Sequence, residues 1–173
     1  IDQCIDNFRF KEALYIINNL IEISPYDSEL WLQKGICYSE LNQNRKALQS
    51  IEKSLSLNPS DVEAITEKAI LEFKMKNYDD AQQTLTQALF YEPQNELIFY
   101  RFGKLYQEKR LYDEAIEYYK KAIDLSSDFS DAYFQMAICY EMKDELLNSL
   151  KTYDKYLDIE PNCEVGWFNR GII

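Results

Sequence analysis

Ser28 to Asp61, SELWLQKGICYSELNQNRKALQSIEKSLSLNPSD, is the stretch that the rest of the chain copies. Its 34 residues read as two amphipathic helices with a turn between them. A weaker version precedes it, three follow, and the start of another closes the sequence. Displaced by 34 residues, Pro25, Pro59, Pro93 and Pro161 fall in register, and only Ser127 breaks the comb. These are all four prolines of the chain, so the register is not a chance alignment. A period of this length is the signature of stacked supersecondary units.

With proline placed at position 32 of each repeat, position 4 holds Trp31, Ile65, Phe99, Tyr133 and Trp167. Position 8 holds Gly35, Ala69, Gly103, Ala137 and Gly171, and position 11 holds Tyr38, Glu72, Tyr106 and Tyr140. In the second half of the repeat, position 20 is Ala13, Ala47, Ala81, Ala115 and Ser149, and position 24 is Ile17, Ile51, Leu85, Tyr119 and Tyr153. Position 27 is Leu20, Ser54, Ala88, Ala122 and Tyr156. Large residues at 4, 11 and 24 thus face small ones at 8, 20 and 27. Two helices approach to about 8–10 Å only where one offers small side chains to the large ones of the other. Proline at 32 cannot continue a helix, so it ends the second helix and sets the turn into the next repeat.

W-x3-G-x2-Y, then Ala, then Pro, at this period resembles the tetratricopeptide repeat (TPR) family, over essentially the whole chain. The resemblance implies an all-α fold: a right-handed superhelical solenoid of antiparallel helix pairs, with a concave groove lined by the first helix of each pair. The chain then divides as a single array. A partial repeat spans 1–27, full repeats span 28–61, 62–95, 96–129 and 130–163, and a further repeat starts at 164–173. Helices are expected near 28–41 and 44–57, 62–75 and 78–91, 96–109 and 112–125, and 130–143 and 146–159. The partial repeat is expected to show the end of one helix over 1–5 and a second over 10–23. Ser28, Ser60 or Asp61, Asn95 and Ser130 stand where an N-cap oxygen is wanted. Both ends fall inside the pattern, so the chain is expected to be a segment of a longer protein.

Composition narrows the function. A net charge of −11 repels phosphate backbones and anionic membrane surfaces, so neither nucleic acid nor membrane is an expected partner. No apolar run approaches the ~18 residues of a membrane span. Cys4, Cys37, Cys139 and Cys163 show no C-x-x-C spacing and read as free thiols, which favours a reducing compartment and a cytoplasmic location. Histidine is absent, which removes the commonest general base and metal ligand. No Gly-rich phosphate loop is present, and the carboxylates are spread over helix faces. The chain is expected to be no enzyme, with no catalytic residues, cofactor or metal.

Three departures from the pattern stand out. Glu72 occupies a position otherwise held by Tyr, with Lys68 and Lys76 four residues to either side as ion-pair partners. The sharper alternative is a buried carboxylate. Ser127 replaces the proline, which would let the preceding helix run on or loosen the joint. Ser149 and Tyr156 replace residues smaller elsewhere, which should open the packing of that helix pair.

In the resembling family, positions 2, 5, 6, 9, 12 and 13 of the first helix line the groove. Carried over, the expected binding residues are Leu32, Ile36, Ile70, Phe73, Tyr100, Arg101, Lys104, Phe134, Ile138 and Phe168. Tyr100, Phe134 and Phe168 form an aromatic row, and Ile36, Ile70, Ile138 and Ile172 an aliphatic row one turn away. Exposed apolar strips of this kind mark binding surfaces; the alternative is that they only fill seams between helices. The face also carries nine acids, among them Asp2 and Asp6, against Lys74, Arg101 and Lys104, bases enough to hold one carboxylate. The chaperone-tail clamp of this family is not expected, because its positions hold Leu32, Ile36, Glu67, Leu97 and Arg101. The expected function is therefore a protein–protein interaction scaffold or adaptor. Its groove binds a peptide or helix that is apolar with basic residues. The alternative is the targeting or substrate-recruiting region of a larger enzyme, and a third use is self-association through the open ends.

Overall fold

The computed structural model describes residues 2–173, and their side chains from Arg9 onward. Expectations for the side chains of Asp2, Cys4 and Asp6 lie outside these described residues. The described residues form ten helices and no strand. In order they are α1 (Asp2–Ile23), α2 (Ser28–Glu40), α3 (Asn44–Leu57), α4 (Val62–Lys74) and α5 (Tyr78–Tyr91). There follow α6 (Glu96–Glu108), α7 (Tyr112–Leu125), α8 (Ser130–Met142), α9 (Leu146–Ile159) and α10 (Glu164–Ile172). The expected helix pairs are thus present at the expected places, each joined by three residues. A connection that short makes neighbouring helices antiparallel. Two compact units result, Ile1–Tyr91 and Glu92–Ile173.

The one departure in helix count is at the start, where a single α1 replaces the expected helix, turn and helix. In the other repeats the turn passes through a left-handed residue: Asn42 (φ 57), Lys76 (φ 64), Arg110 (φ 60) and Asp144 (φ 60). The matching place in the first repeat is Phe8. An aromatic residue resists positive φ, and nothing there breaks the helix, so it continues.

The size rule read from the sequence is visible in both units. A Cβ added to Gly35 would lie 2.4 Å from Ile51 Cγ1, and one added to Gly103 would lie 2.4 Å from Tyr119 Cε1. The first unit buries Leu32, Ala47, Ile51, Ala64 and Leu71 together. The second buries two clusters, one around Tyr100, Tyr119 and Met136, the other around Ala137, Tyr153 and Tyr156. The proline turns are anchored by position 4: Trp31 Nε1 donates to the Pro25 carbonyl at 2.9 Å, and Trp167 Nε1 to that of Pro161 at 2.8 Å.

Capping follows the rule with two corrections. Asp61 accepts from Ala64 N, and Asn95 from Leu97 N and Ile98 N, as expected. The cap of α2 is Asp27 rather than Ser28, and that of α8 is Phe129 rather than Ser130, with no side-chain bond. Ser127 does not prolong α7. The helix ends at Leu125, where Ser126 N bonds the Ala122 carbonyl at 3.0 Å and Phe129 N closes the turn on Ser126.

Both departures in the fifth repeat find partners. Ser149 is fully buried and donates to the Ala137 carbonyl at 3.0 Å, so the extra hydroxyl is satisfied. The larger Tyr156 is met by Gly166, whose added Cβ would lie 2.6 Å from the ring. Size lost on one helix is regained on its neighbour. Glu72 is both buried and paired: Lys68 Nζ lies 3.4 Å from one oxygen, and Thr84 Oγ1 donates to the other at 2.7 Å. Two such partners offset the cost of taking a carboxylate out of water.

Candidate functional site

The first helices of the repeats present the expected binding residues, and each unit has its own face. In the first unit the face belongs to α2 and α4. Leu32 is withdrawn from it: the side chain is fully buried against the core with Ala47 and Ile51, which leaves nothing for a ligand to touch. Ile36 is half-buried on the same core. Ile70 and Phe73 are also half-buried, Phe73 with its ring 5.7 Å from that of Tyr78. At the groove positions of the same two helices the sequence has Glu29, Glu40, Glu63 and Glu67, four acids against Lys74. Lys74 Nζ donates to Ser39 Oγ at 3.0 Å, linking α4 to α2 across the face.

The second unit presents α6, α8 and α10. Here Tyr100 is the correction. It is 9% exposed, its ring held between Tyr119 at 5.8 Å and Phe129 at 5.1 Å. Burial, then the nearby Asp131 carboxylate, pushes its phenol up from the ordinary value. Phe134 is half-buried against Tyr153 and Tyr156, and Ile138 is half-buried. Phe168 is 68% exposed. The aromatic row is therefore graded, from a seam filler at Tyr100 to a free ring at Phe168. Position 5 points towards the second helix of its pair, where Tyr100 meets Tyr119 of α7 and Phe134 meets Tyr153 of α9; Phe168 lies on α10, the last helix of the sequence, and has no second helix to meet.

Arg101 and Lys104 lie one turn apart and flank the Tyr100 ring, at 6.0 Å and 5.9 Å from its centroid. Arg101 Nε is buried and has no hydrogen-bond partner among the described residues. A buried donor left unpaired costs about 1–3 kcal/mol. The acids of this face are Glu108, Asp131 and Glu141, against these two bases.

A polar floor was not anticipated from the sequence. Tyr119 is fully buried, yet its hydroxyl donates to Gln107 Oε1 at 2.5 Å, and Gln107 Nε2 donates to Gln135 Oε1 at 3.2 Å. In the next repeat Asn169 Nδ2 donates to the Tyr153 hydroxyl at 3.3 Å. Tyrosine at position 24 was the available signal: a buried phenol needs a partner, and the nearest polar side chains lie on the first-helix face. Among the described residues, no group of His, Cys, Asp and Glu could hold a metal ion, and no helix is long and apolar enough to cross a membrane.

Comparison with known proteins agrees with this architecture. A family model described as tetratricopeptide repeat matches residues 66–128 and 100–162, and a second of the same description matches 17–49. No curated protein sequence gives a significant match. Among solved structures, MamA is similar at a TM-score of 0.78 and 24% identity, over 88% of this chain and 89% of that one. MamA 41-end from Desulfovibrio magneticus RS-1 aligns at 0.80 and 22% identity, over 94% and 92%. YrrB, a TPR protein with an unusual peptide-binding site, aligns at 0.71 and 21%, over 90% and 80%. At these identities the likeness concerns the fold.

Proposed function

The chain belongs to the tetratricopeptide repeat family, and from that premise we propose that it is a protein-interaction scaffold whose first-helix faces hold a segment of another protein. The observation that carries this reading is the exposure left over once packing is complete. Ile51, Leu105 and Tyr119 fill the seams to full burial, yet Leu97 (49% exposed) and Met142 (59%) remain on the first-helix side of the second unit. Apolar side chains gathered at positions that packing does not need mark an interaction surface. YrrB, with a peptide-binding site on the same fold, gives the proposal its precedent.

The ligand is apolar with basic residues. Half-buried Ile36, Ile70 and Phe73 offer apolar contact in the first unit, and the four acids at the groove positions of the same two helices favour positive charge. The same acidic balance, −11 for the chain, disfavours nucleic acid and anionic membrane surfaces. Cys37, Cys139 and Cys163 are free thiols, in keeping with a reducing compartment such as the cytoplasm. The chain acts by binding and carries no catalytic step of its own.

Affinity capture with the chain and with two surface variants tests the reading. Phe168→Ala and Glu63→Lys both alter exposed side chains, so circular dichroism should show unchanged helicity. A protein retained by the natural chain should be lost or depleted with each variant. Retention of the same proteins by all three chains would refute the assignment of these faces.

A further inference from the structure

We propose that Tyr106 and Tyr118 form an oxidative modification site, at which a haem peroxidase with hydrogen peroxide joins the two phenol rings as dityrosine. This goes beyond binding on the first-helix faces and does not rest on it. The repeat itself sets the pair. Positions 11 and 23 meet across the two helices of a repeat, as the 2.7 Å hydrogen bond between Thr84 and Glu72 shows in the third. The same two positions hold Tyr38 and Ser50 in the second repeat, and Tyr140 and Thr152 in the fifth. Only the fourth repeat puts a tyrosine at both.

The geometry is that of reaction partners. The rings lie 5.2 Å apart and within 8° of parallel, an offset stack, and the two hydroxyls are joined by a hydrogen bond. Hydroxyls in contact bring the adjoining ring carbons close as well, and those ortho carbons carry much of the unpaired spin of a tyrosyl radical. Tyr118 is held in this pose by buried Phe102, nearly parallel at 4.9 Å, and by Lys121 Nζ, 4.7 Å from the ring centroid. Both tyrosines are half-buried rather than sealed in the core, so oxidants in solution have access. Tyr100 and Tyr119 make the contrast. Their rings are tilted by 48° at 5.8 Å, and the Tyr119 hydroxyl is spent on Gln107.

In the reaction each ring gives up one electron and its phenolic proton. The two radicals form one carbon–carbon bond between ortho carbons. The ring hydrogens at that bond then move to the oxygens, which restores both phenols. The net loss is two electrons and two protons, and these reduce one peroxide to two waters. The new bond ties α6 to α7.

The experiment treats the purified chain with a haem peroxidase and hydrogen peroxide, at a dilution that suppresses collisions between chains. Intact-mass spectrometry should show a monomer lighter by two hydrogen atoms. Peptide mapping should join the segment containing Tyr106 to the one containing Tyr118. Tyr106→Phe and Tyr118→Phe keep the rings, so circular dichroism should show the fold retained while the joined peptide is lost. Tyr119→Phe, next in sequence, should keep it. Oxidation of the natural chain unfolded in urea should also lose the joined peptide, because the fold makes the pair; this arm stands even where a variant fails to fold. Absence of the lighter monomer, cross-links confined to dimers, equal yield in urea, or the same product in a folded Tyr106→Phe chain would each overturn the site.

Discussion

The helix pair α2–α3 of the first unit and the pair α6–α7 of the second solve one packing problem with different chemistry. Each puts a glycine on its first helix, Gly35 or Gly103, and presses a fully buried residue into the gap, Ile51 or Tyr119. The contact is the same to the ångström: an added Cβ would meet either partner at 2.4 Å. Isoleucine ends inside the seam. Tyrosine carries its hydroxyl through to Gln107 and, by way of that amide, to Gln135. The geometry of the repeat therefore fixes the size of the filler but leaves its polar tip free, and that tip decides whether the first-helix face has an apolar or a hydrogen-bonding floor.

The comparison breaks most visibly at the glycines. Gly103→Ala should destabilise by about 1–3 kcal/mol, because the new methyl meets a buried ring that cannot swing away. Gly171→Ala is the internal control, since nothing lies within 4 Å of its added Cβ. There the substitution should be neutral or stabilising by up to about 1 kcal/mol, the helix preference for alanine. Urea midpoints of the two variants check this. Equal midpoints would mean that the close contact at position 8 carries no energy.

Tyr119→Phe sharpens the comparison by turning the second floor into the first. The ring still fills the gap, but Gln107 loses its donor, a loss of about 1 kcal/mol. Burial holds the Tyr119 and Tyr153 phenols above their ordinary value of about 10. Because the folded value is the higher one, this contribution is complete below pH ~10 and is lost as pH rises from there towards the folded value. Stability followed by fluorescence or circular dichroism should therefore fall in alkali, and less steeply in Tyr119→Phe. An identical alkaline slope in the two proteins would place the loss elsewhere.

What could be read from residues alone was whatever a steric rule controls. Pro, Gly and Ala at fixed spacing gave the helix pairs, their boundaries and the large-to-small facing of positions 4, 8, 20 and 24. The family pattern could not say how deep position 5 sinks. Leu32 and Tyr100 carry side chains that would serve equally well in a groove, and only the shape of the opposing helix buries them. Ser127 and Ser149 showed the opposite limit. Each breaks the pattern, yet a backbone bond from Ser126 and a hydroxyl bond from Ser149 restore the local structure. Pattern-breaking residues advertise a change, but their neighbours determine whether anything changes.

The turns were hidden for another reason, and they give the smallest expected effect. A left-handed residue usually announces itself as glycine, but here the four turns use Asn42, Lys76, Arg110 and Asp144. Asn and Asp tolerate this backbone because their short polar side chains bond locally; Lys and Arg gain no such relief. The turn persists because the carbonyls at its helix ends are claimed: Asn77 N bonds Glu72 O at 2.8 Å, and Leu111 N bonds Tyr106 O at 2.9 Å. Lys76→Gly and Arg110→Gly should each stabilise by about 0.5–1 kcal/mol, whereas Asn42→Gly should change stability by only a few tenths. The exposed side chains at 76 and 110 lose no packing in the exchange. A rise in melting temperature for the first two and none for the third is the expected pattern, and an equal response at all three would mean that side-chain identity does not matter at these turns.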